Sequence, residues 1–81
     1  MCGVIGVYGI QNAHAIAFYG LWAINHRGQE GAGIVSIDSK TGHKESKRGP
    51  GLVPDVFKRG HILNTWSGDV AIGHNRYSTT G

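Results

Sequence analysis

The sequence is poor in several things, and each shortage excludes a class of protein. It has one cysteine in 81 residues, which rules out a disulfide scaffold and points to a reducing compartment. It has 2 prolines and no low-complexity run or internal repeat. No apolar stretch approaches the roughly 20 residues needed to span a bilayer. The first residues carry no basic segment followed by an apolar one, so they do not read as a secretory signal. The expectation is a soluble cytoplasmic protein without a membrane partner.

Acidic residues are also few, 5 against 8 Lys and Arg, for a formal charge of +3. The bases gather at Lys40, Lys44, Lys47, Arg48, Lys58 and Arg59, interrupted by Glu45 and Asp55. Phosphate attraction could use such a patch. No aromatic residue interleaves with Lys44, Lys47 and Arg48 to stack bases, so nucleic acid is not the expected partner. The five histidines, at 14, 26, 43, 61 and 74, lack the short paired spacing of zinc ligands. There is no GxxxxGK[ST], and the Gly31–Gly33 pair lacks the third glycine of a dinucleotide fingerprint.

What is abundant is glycine, 14 residues, in a chain that is 40% hydrophobic and 16% charged. That density suits strands joined by tight turns. Residues 2–8 form a short apolar run that reads as a strand buried on both faces. From about Ala13 to Asn25 the spacing is helical, with Ile16, Tyr19, Gly20, Ala23 and Ile24 on one apolar face, Asn12 as N-cap and Gly28 as stop. Gly20 inside that helix implies close packing against a neighbour. A second buried strand follows over 31–38, then a turn at 39–42 and an exposed hairpin partner at 43–48. A helical turn is expected over 55–59 after Pro54, and a last strand over 70–77. Strands alternating with a helix imply an α+β arrangement of packed layers.

Three clusters carry chemistry. Cys2 is the only thiol and follows Met1 directly. Removal of Met1 would free an α-amine beside the thiol, so that one residue supplies both nucleophile and base. On position alone, a small hydrophobe at a chain terminus is the favoured reading. The second cluster is His26-Arg27-Gly28-Gln29-Glu30-Gly31-Ala32-Gly33, at the helix-to-strand junction. It reads equally as a helix C-terminus with favourably placed cations and a glycine stop. The third is Gly73-His74-Asn75-Arg76-Tyr77-Ser78-Thr79-Thr80-Gly81. Arg76 there could hold a carboxylate in bidentate fashion, or the segment could be an exposed strand end.

Taken together, the MCGVIGVYG, HRGQEGAGI and GHNRYSTTG segments, in this order and spacing, resemble the amidophosphoribosyltransferase family. The likeness extends over all 81 residues. Enzymes making glucosamine 6-phosphate resemble YRGYDSAG and HTRWATHG at the corresponding places, so Gln29-Glu30 and Tyr77-Ser78 point to the purine family.

The resemblance implies a class II, N-terminal-nucleophile glutaminase domain with a four-layer αββα sandwich, of which residues 1–81 hold the N-terminal portion. It implies glutamine as substrate and Cys2 as the nucleophile forming a γ-glutamyl thioester. Arg76 would bind the α-carboxylate, with Tyr77, Thr79 and Thr80 lining that pocket, and Arg27 and Gly28 would support the backbone around Cys2. His26 and His74 would be structural.

An oxyanion-hole Asn-Gly pair, an Asp for the glutamine amine, and a phosphoribosyltransferase domain with its Mg²⁺ would lie beyond Gly81. The remainder of the amidotransferase is then the partner, and the parent enzyme a homo-oligomer. Two departures stand out: Gly31 and Pro54 occupy positions where the family has Ser.

A non-catalytic glutamine-binding or partner-interacting module is the alternative. Strands reaching nearly to the last residue, with nothing after them to cover their faces, imply a fragment. The isolated 81-residue chain is therefore expected to be marginally stable or self-associating. A monodisperse monomer in sedimentation, unfolding cooperatively with high stability, would contradict this.

Overall fold

The computed structural model describes residues 2–24, 29–58 and 60–77, and of Cys2 the backbone alone. Its elements run β1 (Cys2–Tyr8), α1 (Ala13–Ala23), β2 (Gln29–Ile37), β3 (Lys44–Pro50), α2 (Val53–Val56), α3 (Ile62–Thr65) and β4 (Val70–Tyr77). The four strands form one antiparallel sheet in the order β1-β4-β2-β3. The last strand in sequence therefore inserts between the first and second. The helices pack together against one face, a mixed α and β arrangement.

The expected strand over 2–8 is present, but it is not buried on both faces. It lies at the sheet edge, with Val4 and Tyr8 74% and 76% exposed, while Ile5 and Val7 pack toward the helices. The same alternation runs along β4: Ala71, Gly73, Asn75 and Tyr77 are buried, and Ile72, His74 and Arg76 are exposed. Successive residues of a strand point to opposite faces, so one face meets α1 and the other remains open. Val4, Tyr8, Val35 and Ile72 give that open face an apolar character.

Helix α1 forms where expected but buries the other side. Ala13, His14, Ala17, Phe18 and Leu21 are its buried residues, whereas Ile16, Tyr19 and Ile24 are exposed. The segment Ala-His-Ala-Ile-Ala-Phe-Tyr-Gly-Leu-Trp-Ala is apolar almost all round, so spacing does not select a face. Packing selects it: the alanines allow close approach to the sheet, and Phe18 stands edge-on to Phe57 at 6.1 Å. The expected close packing at Gly20 is present, since a Cβ there would come within 2.3 Å of Ile5 Cδ1.

Asn12 precedes the helix in a left-handed conformation and makes no side-chain cap. Its backbone N–H and that of Ala13 instead donate to the Gly68 carbonyl at 2.8 and 3.2 Å. The loop before β4 thus satisfies two of the helix's free donors. Gly68 has φ +134 and lies so close to Ile37 and Ser36 that no side chain fits. The turn after β2 closes on Asp38, whose carboxylate accepts from Lys40 N and Thr41 N. The short helical turn comes earlier than expected, at Val53–Val56 with Pro54 inside its first turn, and α3 was not anticipated. No described helix is long and apolar enough to cross a membrane.

His14 is fully buried against Trp66, and neither ring nitrogen makes a well-formed hydrogen bond among the described residues. Burial pushes its pKa below the ordinary value, and the backbone of Ile62 and Leu63 opposes this only in part. The unfolded chain takes up this proton near pH ~6.5, whereas the folded one resists it to lower pH. The unfolded state then holds more protons, and stability falls as pH drops below about 6.5. Urea titrations of wild type and His14→Leu between about pH 7 and 5 are expected to show a flatter dependence in the variant. Equal slopes would remove His14 as the cause.

Candidate functional site

Cys2 begins β1 and Arg76 lies one residue before the end of β4, yet they are direct cross-strand partners. Directly opposed residues of an antiparallel ladder lie on the same face of the sheet. For position 76 that is the open face, where the Arg76 side chain is 73% exposed. Its Nε lies 3.6 Å from Glu30 Oε2, whose own side chain is half exposed. An exposed pair of this kind contributes roughly 0–1 kcal/mol, so another carboxylate can replace Glu30 at little cost.

A bulge brings Glu30 to this position. Gln29 pairs with Tyr77 and Gly31 pairs with Arg76, leaving Glu30 as the extra residue of β2. A shallow groove of about 410 Å³ opens here, lined by Glu30, Gly31, Arg48, Pro50, His74 and Arg76. Two guanidinium groups and an imidazole against one carboxylate suit a small anionic ligand. Gly33 pairs with His74 across the sheet, and a Cβ there would meet His74 Nε2 at 2.6 Å, so glycine leaves that ring its place. The sequence marks Glu30 only as a member of the second cluster and Arg48 only as part of the basic patch; the pairing of β3 and β4 with β2 brings them beside Arg76.

Tyr77 follows Arg76 and therefore lies on the opposite, buried face. Its hydroxyl donates to the Ile24 carbonyl and accepts from Asn75 Nδ2 at 3.0 Å. Asn75 Nδ2 also donates to Gln29 Oε1 at 3.2 Å, and Gln29 Nε2 donates to the Gly51 carbonyl at 3.1 Å. This chain of polar groups sits beneath the Cys2–Arg76 pair. Its signal in the sequence is the alternation His74-Asn75-Arg76-Tyr77, which separates the residues into two faces. Of the other expected site residues, His26, Arg27, Gly28, Thr79 and Thr80 lie outside the described residues, as does Met1. Among the described residues no three His, Cys, Asp or Glu side chains converge as a metal site would require.

The chain is 49% identical over 82 aligned residues to the amidophosphoribosyltransferase of Bacillus subtilis, covering 99% of the chain and 16% of that protein. It is 50% identical to the chloroplastic amidophosphoribosyltransferase 3 of Arabidopsis thaliana, covering 99% of the chain and 14% of the relative. The enzyme of Methanocaldococcus jannaschii is 48% identical, with 100% and 17% covered.

Among solved structures, the B. subtilis glutamine phosphoribosylpyrophosphate amidotransferase complexed with ADP and GMP superposes with a TM-score of 0.80 at 42% identity. That match covers 99% of the chain and 17% of the neighbour. A structure described as the allosteric regulatory enzyme of purine biosynthesis gives 0.80 at 43%. The chain thus spans about one sixth of the proteins it matches, at their N-terminal part. No protein-family model matches it.

Gly3 links the open face to the polar chain beneath. A Cβ at this position would come within 2.6 Å of both Asn75 Oδ1 and Ile24 Cδ1. Ile24 can swing aside, but Asn75 is held by two hydrogen bonds. Gly3→Ala is expected to destabilise the fold by about 1–3 kcal/mol. Chemical denaturation measures this, and an unchanged midpoint would show that the strand yields without cost.

Proposed function

The chain belongs to the amidophosphoribosyltransferase family, as a segment matching the N-terminal part of its members, and on that premise we propose that the protein hydrolyses glutamine at Cys2. The ammonia released serves to convert phosphoribosyl pyrophosphate into phosphoribosylamine. The observation that supports this most is the cross-strand register of Cys2 with Arg76, beside a groove rich in cationic groups.

In this reading Met1 is removed and the α-amine of Cys2 takes the thiol proton, directly or through a water. The sulfur attacks the side-chain amide carbon of glutamine. The C–N bond breaks, and the nitrogen takes up the proton and leaves as ammonia. A γ-glutamyl thioester remains, which water cleaves to glutamate while the thiol regains its proton. Arg76 exchanges Glu30 for the substrate α-carboxylate and so fixes the amide over Cys2. Ammonia then forms a bond to the anomeric carbon of phosphoribosyl pyrophosphate as the bond to pyrophosphate breaks.

Arg27 and Gly28 support the backbone near Cys2, and Thr79 and Thr80 complete the carboxylate pocket. Tyr77 contributes from the buried side. The oxyanion donors, the ligand of the glutamine amine, and the transferase part with its Mg²⁺ belong to residues other than these 81. Losing one oxyanion donor costs about 10²–10³ in rate, so the complete polypeptide is the proper test object. The parent assembles as a homo-oligomer.

The test uses the complete polypeptide containing this segment. Intact-mass analysis is expected to show loss of Met1, and an electrophilic glutamine analogue to add covalently at Cys2. Arg76→Ala should weaken glutamine binding about 10–100-fold, the worth of a charged hydrogen-bonded contact. A reversible complex without an adduct would instead identify a non-catalytic glutamine-binding module. Retention of Met1 in active protein would remove the proposed base.

A further inference from the structure

Asn75 is fully buried, and its Oδ1 has no hydrogen-bond partner among the described residues. A buried polar atom left unpaired costs stability, and an apolar side chain would avoid that cost. What the amide does with its other end is specific. Its Nδ2 donates to Gln29 Oε1 and to the Tyr77 hydroxyl, which in turn donates to the Ile24 carbonyl. Ile24 and Gln29 are the residues on either side of positions 25–28 in the chain, so one carboxamide anchors both flanks of that segment to β4.

The unpaired oxygen occupies the space that a side chain on Gly3 would need. Gly3 is the cross-strand partner of Asn75. Asn75 therefore abuts the residue that follows Cys2 and is itself the residue that precedes Arg76. We infer that Asn75 is a positioning residue of the glutaminase site: its buried amide sets the placement of Cys2 against Arg76 and of the flanks of residues 25–28. The inference rests on the glutamine-hydrolysis reading above and adds to it a residue on the far side of the sheet.

A structural role alone and a positioning role separate in a double substitution. Asn75→Leu leaves Gln29 Oε1 without its donor, whereas Asn75→Leu combined with Gln29→Leu removes both ends of that bond; because it also takes the Gln29 Nε2 bond from the Gly51 carbonyl, it restores only part of the lost stability. In the complete polypeptide two quantities are read: the thermal midpoint and the rate of Cys2 labelling by an electrophilic glutamine analogue at saturation. The single variant is expected to lose both. The double variant should regain part of the midpoint yet label at least about tenfold more slowly than the parent, because small misplacements of reacting groups are costly.

If the double variant regains stability and labels at the parent rate, Asn75 is only structural and the inference falls alone. If the parent itself is not labelled at Cys2, the glutamine-hydrolysis reading falls and takes this one with it. Should the leucine variants not fold, Asn75→Asp keeps the shape and lacks the Nδ2 donor. Folded Asn75→Asp labelling at the parent rate overturns the inference equally.

Discussion

The two-residue period of β4 is the constraint on which the rest depends. An extended strand must send successive side chains to opposite faces, and β4 is the strand that touches both β1 and β2. His74 and Arg76 are thereby committed to the open face, and Asn75 and Tyr77 to the face beneath α1. One strand thus supplies a cationic groove above and a polar anchor below. Sliding the β1–β4 register by one residue would exchange the two sets and separate Cys2 from Arg76.

The two faces differ in what covers them. All three helices pack on one side, where Phe18, Leu21, Ile34, Val53 and Phe57 are buried. The other side carries Val4, Tyr8, Val35 and Ile72 as well as the groove. Hydrophobic side chains on both faces of a strand are the usual mark of a sheet in the interior of a larger layered fold. The segment's length, one sixth of its relatives, agrees with that arrangement.

Polar groups inside the helical face impose the main costs. Among the described residues, His14 sits in the core with neither nitrogen in a well-formed hydrogen bond, and Asn75 keeps one unpaired oxygen. An apolar core would be more stable at both positions. At Asn75 the compensation is visible, since its amide joins Gln29, Tyr77 and through it Ile24 in one connected chain. At His14 the ring packs on Trp66, and the backbone of Ile62 and Leu63 offsets only part of the cost of burial.

Much of this was legible in the residues alone. The strand over 70–77 matched β4 residue for residue, the turn at 39–42 and the exposed hairpin partner were present, and the family resemblance was confirmed. These rest on short-range signals: alternation, turn chemistry, and motifs read in order. The buried side of α1 was not legible, because a helix apolar all round gives its spacing nothing to choose with. Nor was the placement of β4 between β1 and β2, which brings positions 2 and 76 together across 74 residues of sequence. Local pattern located the four strands and α1, though not α3. Strand order and the face a helix buries are energies of contact between distant segments, and only the tertiary structure decided those.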